Sequence, residues 1–409
     1  MKLFSFFKGL SWLIFLNLLI KPVWIFFIDR QVQNIVGFEA YGKYFSLFNL
    51  TFVLLFIADA GLTNMLNRQV ASKAPVNPLQ LLKIKVVLVI AYVFSCFAIA
   101  FISGIQEWKL LFYLALVQSF TSLIFFLRNI ITANQFFTAD AWFSVLDKSL
   151  MILFCSGFIY GLFGSINLTL FLQLQILASF ITLAALLWYA VERKLLISIS
   201  KNKISEIVKL TAPFTAIILL MSLHYRLDGF LLERIHPNGA YEAGVYASAY
   251  RLLDAANMVG LLTATFLVPF IARNREDTRA INNVISLSRN SLLILAIGAI
   301  LFIMFFTTAL QQWLYYMSDA YINKVIQFTL LALPGYYMVH VYGSLLTATA
   351  FYKAFISILI VSVFINSTLN IYLISGYGAW GSAIAAISSQ YFCGTALYIF
   401  AKKKVLSPK

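Results

Sequence analysis

The chain has 409 residues, of which 62% are hydrophobic and only 11% charged, with a formal net charge of +15. That balance excludes an ordinary soluble domain and places most of the chain in lipid. The three cysteines, Cys96, Cys155 and Cys393, all fall in apolar stretches, which excludes a disulfide framework or a zinc spacing and makes them packing residues.

The first residues, MKLFSFFKGLSWLIFLNLLI, have the composition of a signal peptide but no small-residue cleavage site. The apolar run continues through Lys21 and Pro22 to Ile28, so it reads as the first span. Apolar runs between polar breaks then predict spans at 10–28, 44–66, 86–103, 110–131, 141–163, 168–190, 211–232, 243–271, 290–313, 325–350, 355–374 and 381–401. The expectation is an all-α integral membrane protein of about 12 transmembrane helices, with both termini on one side.

Basic residues choose that side, because Lys and Arg are retained in the cytoplasm more often than they are translocated. Of 30 such residues, 21 fall on the segments that share a side with the termini, among them Lys83, Lys85, Arg128, Arg193, Arg273 and Lys402. The opposite loops hold 5, namely Arg30, Lys43, Lys109, Arg234 and Lys324, and the remaining 4 lie within spans. Both termini are therefore expected in the cytoplasm. The positive charge follows from this topology and from attraction to anionic lipid, so no nucleic-acid partner is expected.

Two internal matches point to a repeat. EAYGKYFSLFNL (39–50) lines up with EAGVYASAYRLL (242–253), pairing Gly42 with Gly244 and Tyr44 with Tyr246. YGLFGSI (160–166) resembles YGAWGSA (377–383), each between the fifth and sixth spans of its half. The expected domains are an N-terminal six-helix lobe at 1–195, a basic cytoplasmic linker at 196–210 and a C-terminal six-helix lobe at 211–409. Six is even, so the copies enter the membrane in the same sense, related by a pseudo-two-fold along its normal, as in transporters. The linker reads equally as an amphipathic surface helix or a solvated connector.

Ionisable groups within spans are functional candidates, since a bilayer makes them costly unless partners or water stabilise them. Counted from the helix ends, Lys21, Arg226, Asp228, Arg251 and Asp254 fall from mid-membrane outwards, and Asp59, Arg128, Asp147 and Lys148 in the inner half. Lys21, Arg226 and Arg251 are expected to converge on a cationic cleft between the halves that suits a phosphate-bearing substrate. Arg30, at an outer helix end, reads either as a fourth base of that cavity or as an interfacial anchor. Asp228 and Asp254 are read as charge partners of Arg226 and Arg251, and Asp59 and Asp147 as ion-coupling groups, helix caps or partners of neighbouring bases. The rival for each base is structural pairing. His224 and His340 read as packed or hydrogen-bonding residues, and Pro22, Pro213, Pro269 and Pro334 as sites of kinks.

There is no GxxxxGK phosphate loop, so no nucleotide-driven motor is read in the chain. HExxH, GxSxG and CxxC are also missing, and the longest outer loop, Asp29 to Lys43, has about 15 residues. No catalytic residue, metal or cofactor is expected, and the chain is not read as an enzyme. Transport would be driven by an ion, potential or substrate gradient.

At these residues the chain resembles the polysaccharide flippases of the multidrug/oligosaccharidyl-lipid/polysaccharide exporter superfamily. Three stretches carry the likeness: 36–72 with a G-x-x-x-Y-G-x-Y lead-in to span 2, 227–273 with D-x-x-L and G-x-Y-x-x-A-x-x-L before a proline, and 369–390 with L-N and G-x-x-G-x-A. The resemblance implies a bacterial inner-membrane protein of two six-helix lobes that flips undecaprenyl-diphosphate-linked oligosaccharide from the cytoplasmic to the periplasmic leaflet. Its partners would be that lipid-linked substrate, membrane lipids and other polysaccharide-assembly proteins. It also implies a hydrated cationic cavity, matching Lys21, Arg226 and Arg251, and alternating access around it. The alternatives left open are an ion-coupled drug or metabolite antiporter of the same fold and a membrane-embedded polysaccharide polymerase.

Overall fold

A computed structural model describes residues 3–71, 77–197 and 203–406, and every element among them is helical. Chain order runs α1 (Leu3–Val23), a π-helical turn (Trp24–Asp29), α2 (Arg30–Val36), α3 (Phe38–Asp59), α4 (Leu62–Ala71), α5 (Pro78–Ile102), α6 (Trp108–Ala133), α7 (Phe137–Ile159) and α8 (Leu168–Glu192). It continues with α9 (Ile204–Ile235), α10 (Gly239–Arg273), α11 (Thr278–Tyr315), α12 (Ala320–Leu331), α13 (Leu333–Ala348) and α14 (Tyr352–Lys404). Residues 198–202 of the expected linker lie outside the described residues, as do Lys2, Lys73, Lys201 and Lys409 of the charge count.

Helix starts are set by polar caps that satisfy orphan amides. Asn77 accepts from the Gln80 N–H ahead of Pro78, Asn167 from Leu170, Asp277 from Ala280 and Asp319 from Ile322. Proline acts where its missing N–H predicts. Pro22 lies in the last turn of α1, two residues before the π-helical turn begins at Trp24, and Pro334 sits in the first turn of α13, just after α12 ends. Pro213 and Pro269 are accommodated inside α9 and α10.

Eleven helical stretches among the described residues are long and apolar enough to cross a bilayer. The last of them, α14, has 53 residues, which at the helical rise would measure about 80 Å, well over twice a hydrocarbon core. It is broken at Gly378, whose φ of +54° and ψ of −133° are not helical. Counting its two halves separately gives twelve spans. Outward-facing apolar side chains are abundant, Phe94 being 73% and Phe305 80% exposed, as acyl-chain contact requires.

The helices form two lobes. The first comprises Met1–Val36 and Leu47–Leu219, the second Gly37–Ser46 and Leu220–Lys409. These bounds differ from 1–195 and 211–409 at two helix ends: α3 gives its first turns to the second lobe, and α9 gives its start to the first. In the first lobe α1 packs along α7, and α6 on α5 and α8. Its core gathers Leu62, Met65, Phe126, Leu127, Ile130 and Leu186. In the second lobe α10 packs on α12 and α13, and α13 lies along α14.

Both repeat motifs have a structural counterpart. Gly161 (φ +79°) and Gly378 (φ +54°) are both in the positive-φ region that a Cβ disfavours, which accounts for the recurring Tyr-Gly. Gly42 and Gly244 lie at one close crossing of α3 and α10 within the second lobe. A Cβ at Gly42 would collide with the Ala240 carbonyl and lie 2.7 Å from the Gly244 nitrogen, and a Cβ at Gly244 would collide with the Phe38 carbonyl.

Candidate functional site

In the second lobe, Arg226 on α9 donates through Nη2 to Asp254 on α10 at 3.0 Å. Its guanidinium lies over the Tyr250 ring, 4.9 Å from the centroid. That ring is held in turn, because the Tyr250 hydroxyl donates to the Tyr225 carbonyl and lies 3.3 Å from the Tyr336 hydroxyl. Tyr336 stacks on Tyr225 with centroids 5.0 Å apart. Arg226 therefore rests on an aromatic shelf fixed by a tyrosine network.

Asp228, expected to pair with Arg226, is instead buried on another side of α9. It accepts from the Asn370 side-chain amide at 2.9 Å and the Tyr246 hydroxyl at 3.2 Å. The reason is helical geometry: residues two apart point about 200° away from each other. Asn370 also donates to the Asn366 carbonyl, and Asn366 to Ser389 Oγ at 3.3 Å. Asp228 thus joins α9 and α10 to both halves of α14.

Arg251 is 6% exposed. It donates to the Tyr315 hydroxyl at 2.7 Å and lies 5.2 Å from the centroid of Tyr41. It ties α10 to α11 and to the start of α3. Asp254, three residues on, reaches Arg226 on the neighbouring helix.

The first lobe holds a different arrangement. Lys21, in the last turn of α1, lies within electrostatic reach of Arg128, Asp147 and Lys148, which the span reading places in the inner half, and of Asp140. Arg128 grips Asp140 with two N–H groups, at 2.7 and 3.2 Å. Lys148 pairs with Asp147 at 3.2 Å and covers the Trp24 ring in the π-helical turn at 5.1 Å. Arg30 is 6% exposed, with Nε donating to the Phe26 carbonyl at 2.8 Å, which places it on that turn's backbone. Asp59 accepts from Lys85 Nζ at 2.7 Å and from the Thr63 hydroxyl at 2.5 Å.

Two ionisable residues escaped the sequence reading. Lys85, counted outside its span, has a side chain that is 0% exposed, because α5 starts at Pro78 and carries it inward to Asp59. Glu242 accepts from the Ala379 N–H at 2.8 Å and the Tyr321 hydroxyl at 2.5 Å, capping the second half of α14. The gap between the last two predicted spans, 375–380, was the available sign that a helix start there would need a capping group. His340 pairs with Asn257 at 2.9 Å, and His224 is buried. Among the described residues no three His, Cys, Asp or Glu side chains gather in metal-binding geometry.

The charged groups thus lie inside the spans of an all-helical, two-lobed protein, and known proteins share that framework. A family profile described as "Polysaccharide biosynthesis protein" matches residues 6–275. No curated protein matches the chain. Among solved structures, a multidrug resistance transporter of the MATE family, MOP superfamily, is similar at a TM-score of 0.73 and 14% identity, covering 93% of this chain and 94% of that one. A mutant of the Vibrio cholerae MATE transporter VcmN gives a TM-score of 0.72 at 14% identity, covering 99% of each chain. A MOP-superfamily transporter from Pyrococcus furiosus, described as having a binding pocket of reverse polarity that suggests a different function, gives 0.71 at 13% identity, covering 97% and 95%. The chain belongs to the polysaccharide biosynthesis protein family and has the two-lobed fold of the MATE transporters of the MOP superfamily.

Proposed function

We propose that the protein flips undecaprenyl-diphosphate-linked oligosaccharide from the cytoplasmic to the periplasmic leaflet of a bacterial inner membrane, with both termini cytoplasmic, for surface polysaccharide such as O-antigen or capsule. The observation that carries this reading is the match of residues 6–275 to a polysaccharide biosynthesis family, on a chain with a transporter fold. A lipid-linked intermediate is the form of a polysaccharide precursor that such a protein could move, since its polar head cannot cross hydrocarbon unaided.

In the mechanism the prenyl tail stays in lipid while the diphosphate pairs with in-span bases during alternating access. Arg226 is the favoured ligand, being partly exposed and oriented by Tyr250. Lys21 is the further in-span base of the first lobe, Arg30 holds backbone in that lobe, and Arg251 holds aromatic groups in the second. Among the carboxylates, Asp228 is favoured for ion coupling, because Asp59 and Asp147 each have a lysine partner. Enzymes of polysaccharide assembly would supply the substrate and consume the product.

The rival reading, an ion-coupled antiporter of small molecules, draws on the likeness to multidrug transporters. A null strain complemented with wild type or Arg226→Ala separates the two. The flippase reading expects loss of surface polysaccharide and accumulation of its lipid-linked precursor with Arg226→Ala at unchanged protein level. Normal polysaccharide in the null strain, with altered drug tolerance, would support the rival.

A further inference from the structure

The Arg226–Asp254 pair has an unusual setting for a charge pair in mid-span. The Asp254 side chain is 37% exposed and that of Arg226 15%. A carboxylate so exposed near the middle of a 35-residue helix faces water, because facing acyl chains would be strongly unfavourable. With its carboxylate side open to water, the pair is held less firmly than a fully buried one and is exchangeable for a stronger partner. Arg226 itself stays put when Asp254 leaves, because the Tyr250 ring beneath it is anchored to the Tyr225 carbonyl and the Tyr336 hydroxyl. A diphosphate carries more negative charge than a carboxylate and offers the planar guanidinium several acceptor oxygens.

From this geometry we infer that Asp254 is an exchangeable counter-ion, a specificity-determining residue that occupies Arg226 in the empty protein and yields it only to a multiply charged phosphate group. The inference rests on the flippase reading above and adds an internal competitor to it. Asp254 screens Arg226 from monoanions, and it re-pairs with Arg226 to help expel the diphosphate after transit. Removing its charge should strengthen binding and slow release together, which a merely structural residue would not do.

The test uses the purified full chain in detergent, with inorganic pyrophosphate and orthophosphate as probes of the headgroup. Wild type, Asp254→Asn, Asp254→Glu, Arg226→Gln and the Arg226→Gln/Asp254→Asn double variant are compared by calorimetric titration, each checked by gel filtration. Asp254→Asn is expected to tighten pyrophosphate about tenfold and to narrow the preference for pyrophosphate over orthophosphate. Asp254→Glu is expected to stay near wild type, and the tightening should vanish in the Arg226→Gln background. Arg226-dependent binding that Asp254→Asn leaves unchanged would overturn the counter-ion role while leaving the flippase reading intact. Tightening that persists without Arg226 would also overturn it. Failure of every variant to bind pyrophosphate would count against both.

Discussion

Gly42 and Gly244, matched to each other in the internal repeat, touch at one crossing of α3 and α10. Both lie in the second lobe, where each glycine leaves no room for a Cβ against the backbone of the other helix. The crossing also sets a size limit. Gly244→Leu should force the backbones apart and destabilise by about 1–3 kcal/mol or more. The expected outcome is a lower thermal midpoint and reduced yield in detergent, and a wild-type midpoint for this variant would show that the helices do not approach so closely.

Gly161 and Gly378 share a backbone requirement but not a neighbourhood. Alanine at either position strains the positive φ by about 1–2 kcal/mol. At Gly378 its Cβ would also press on the Glu242 carboxylate, whereas Gly161 has nothing within 4 Å. Gly378→Ala should therefore lower the thermal midpoint more than Gly161→Ala. Equal losses would mean that backbone strain alone matters.

Lys85 and Asp59 form a buried pair with side chains 0% and 14% exposed. Lys85→Met leaves Asp59 without its cation and should destabilise by about 3–5 kcal/mol, while Lys85→Met with Asp59→Leu should recover most of that. A double-mutant cycle on unfolding midpoints reads the coupling. Independent, additive losses would show the pair to be incidental.

These pairs mark the limit of what the sequence discloses. Span number was legible because it depends on local composition, and the paired Tyr-Gly and Gly42/Gly244 motifs because they recur in the letters themselves. Partners across helices were not. Arg226 and Asp228 are close in sequence but diverge around α9, and Asp254 is brought to Arg226 only by packing of α10. Lys85 looked like the polar edge of a span because its neutralising carboxylate lies 26 residues away. The positions of 198–202 in the expected linker are outside the described residues.

Arg226 and Arg251 should separate in experiment, though both read alike as in-span arginines. Arg251 is buried against Tyr315 and Tyr41, so Arg251→Ala removes a buried charged hydrogen bond and a ring contact and should lower stability by about 1–3 kcal/mol. Arg226→Ala removes a pair whose carboxylate is 37% exposed and should lower the midpoint less than Arg251→Ala does, while removing transport. Thermal unfolding and precursor accumulation measured on the same two variants check the split, and a destabilised Arg226→Ala with active transport would reverse the assignment.

The most direct measurement is transbilayer movement itself. Purified protein is reconstituted into vesicles that contain a polyprenyl-diphosphate oligosaccharide, and the sugar accessible to an added enzyme outside is followed with time. Wild-type protein should make substrate from both leaflets accessible, and Arg226→Ala should leave the inner-leaflet half protected, as in protein-free vesicles. Protection of that half by the wild-type protein, in vesicles where an ion gradient is also supplied, would contradict the account.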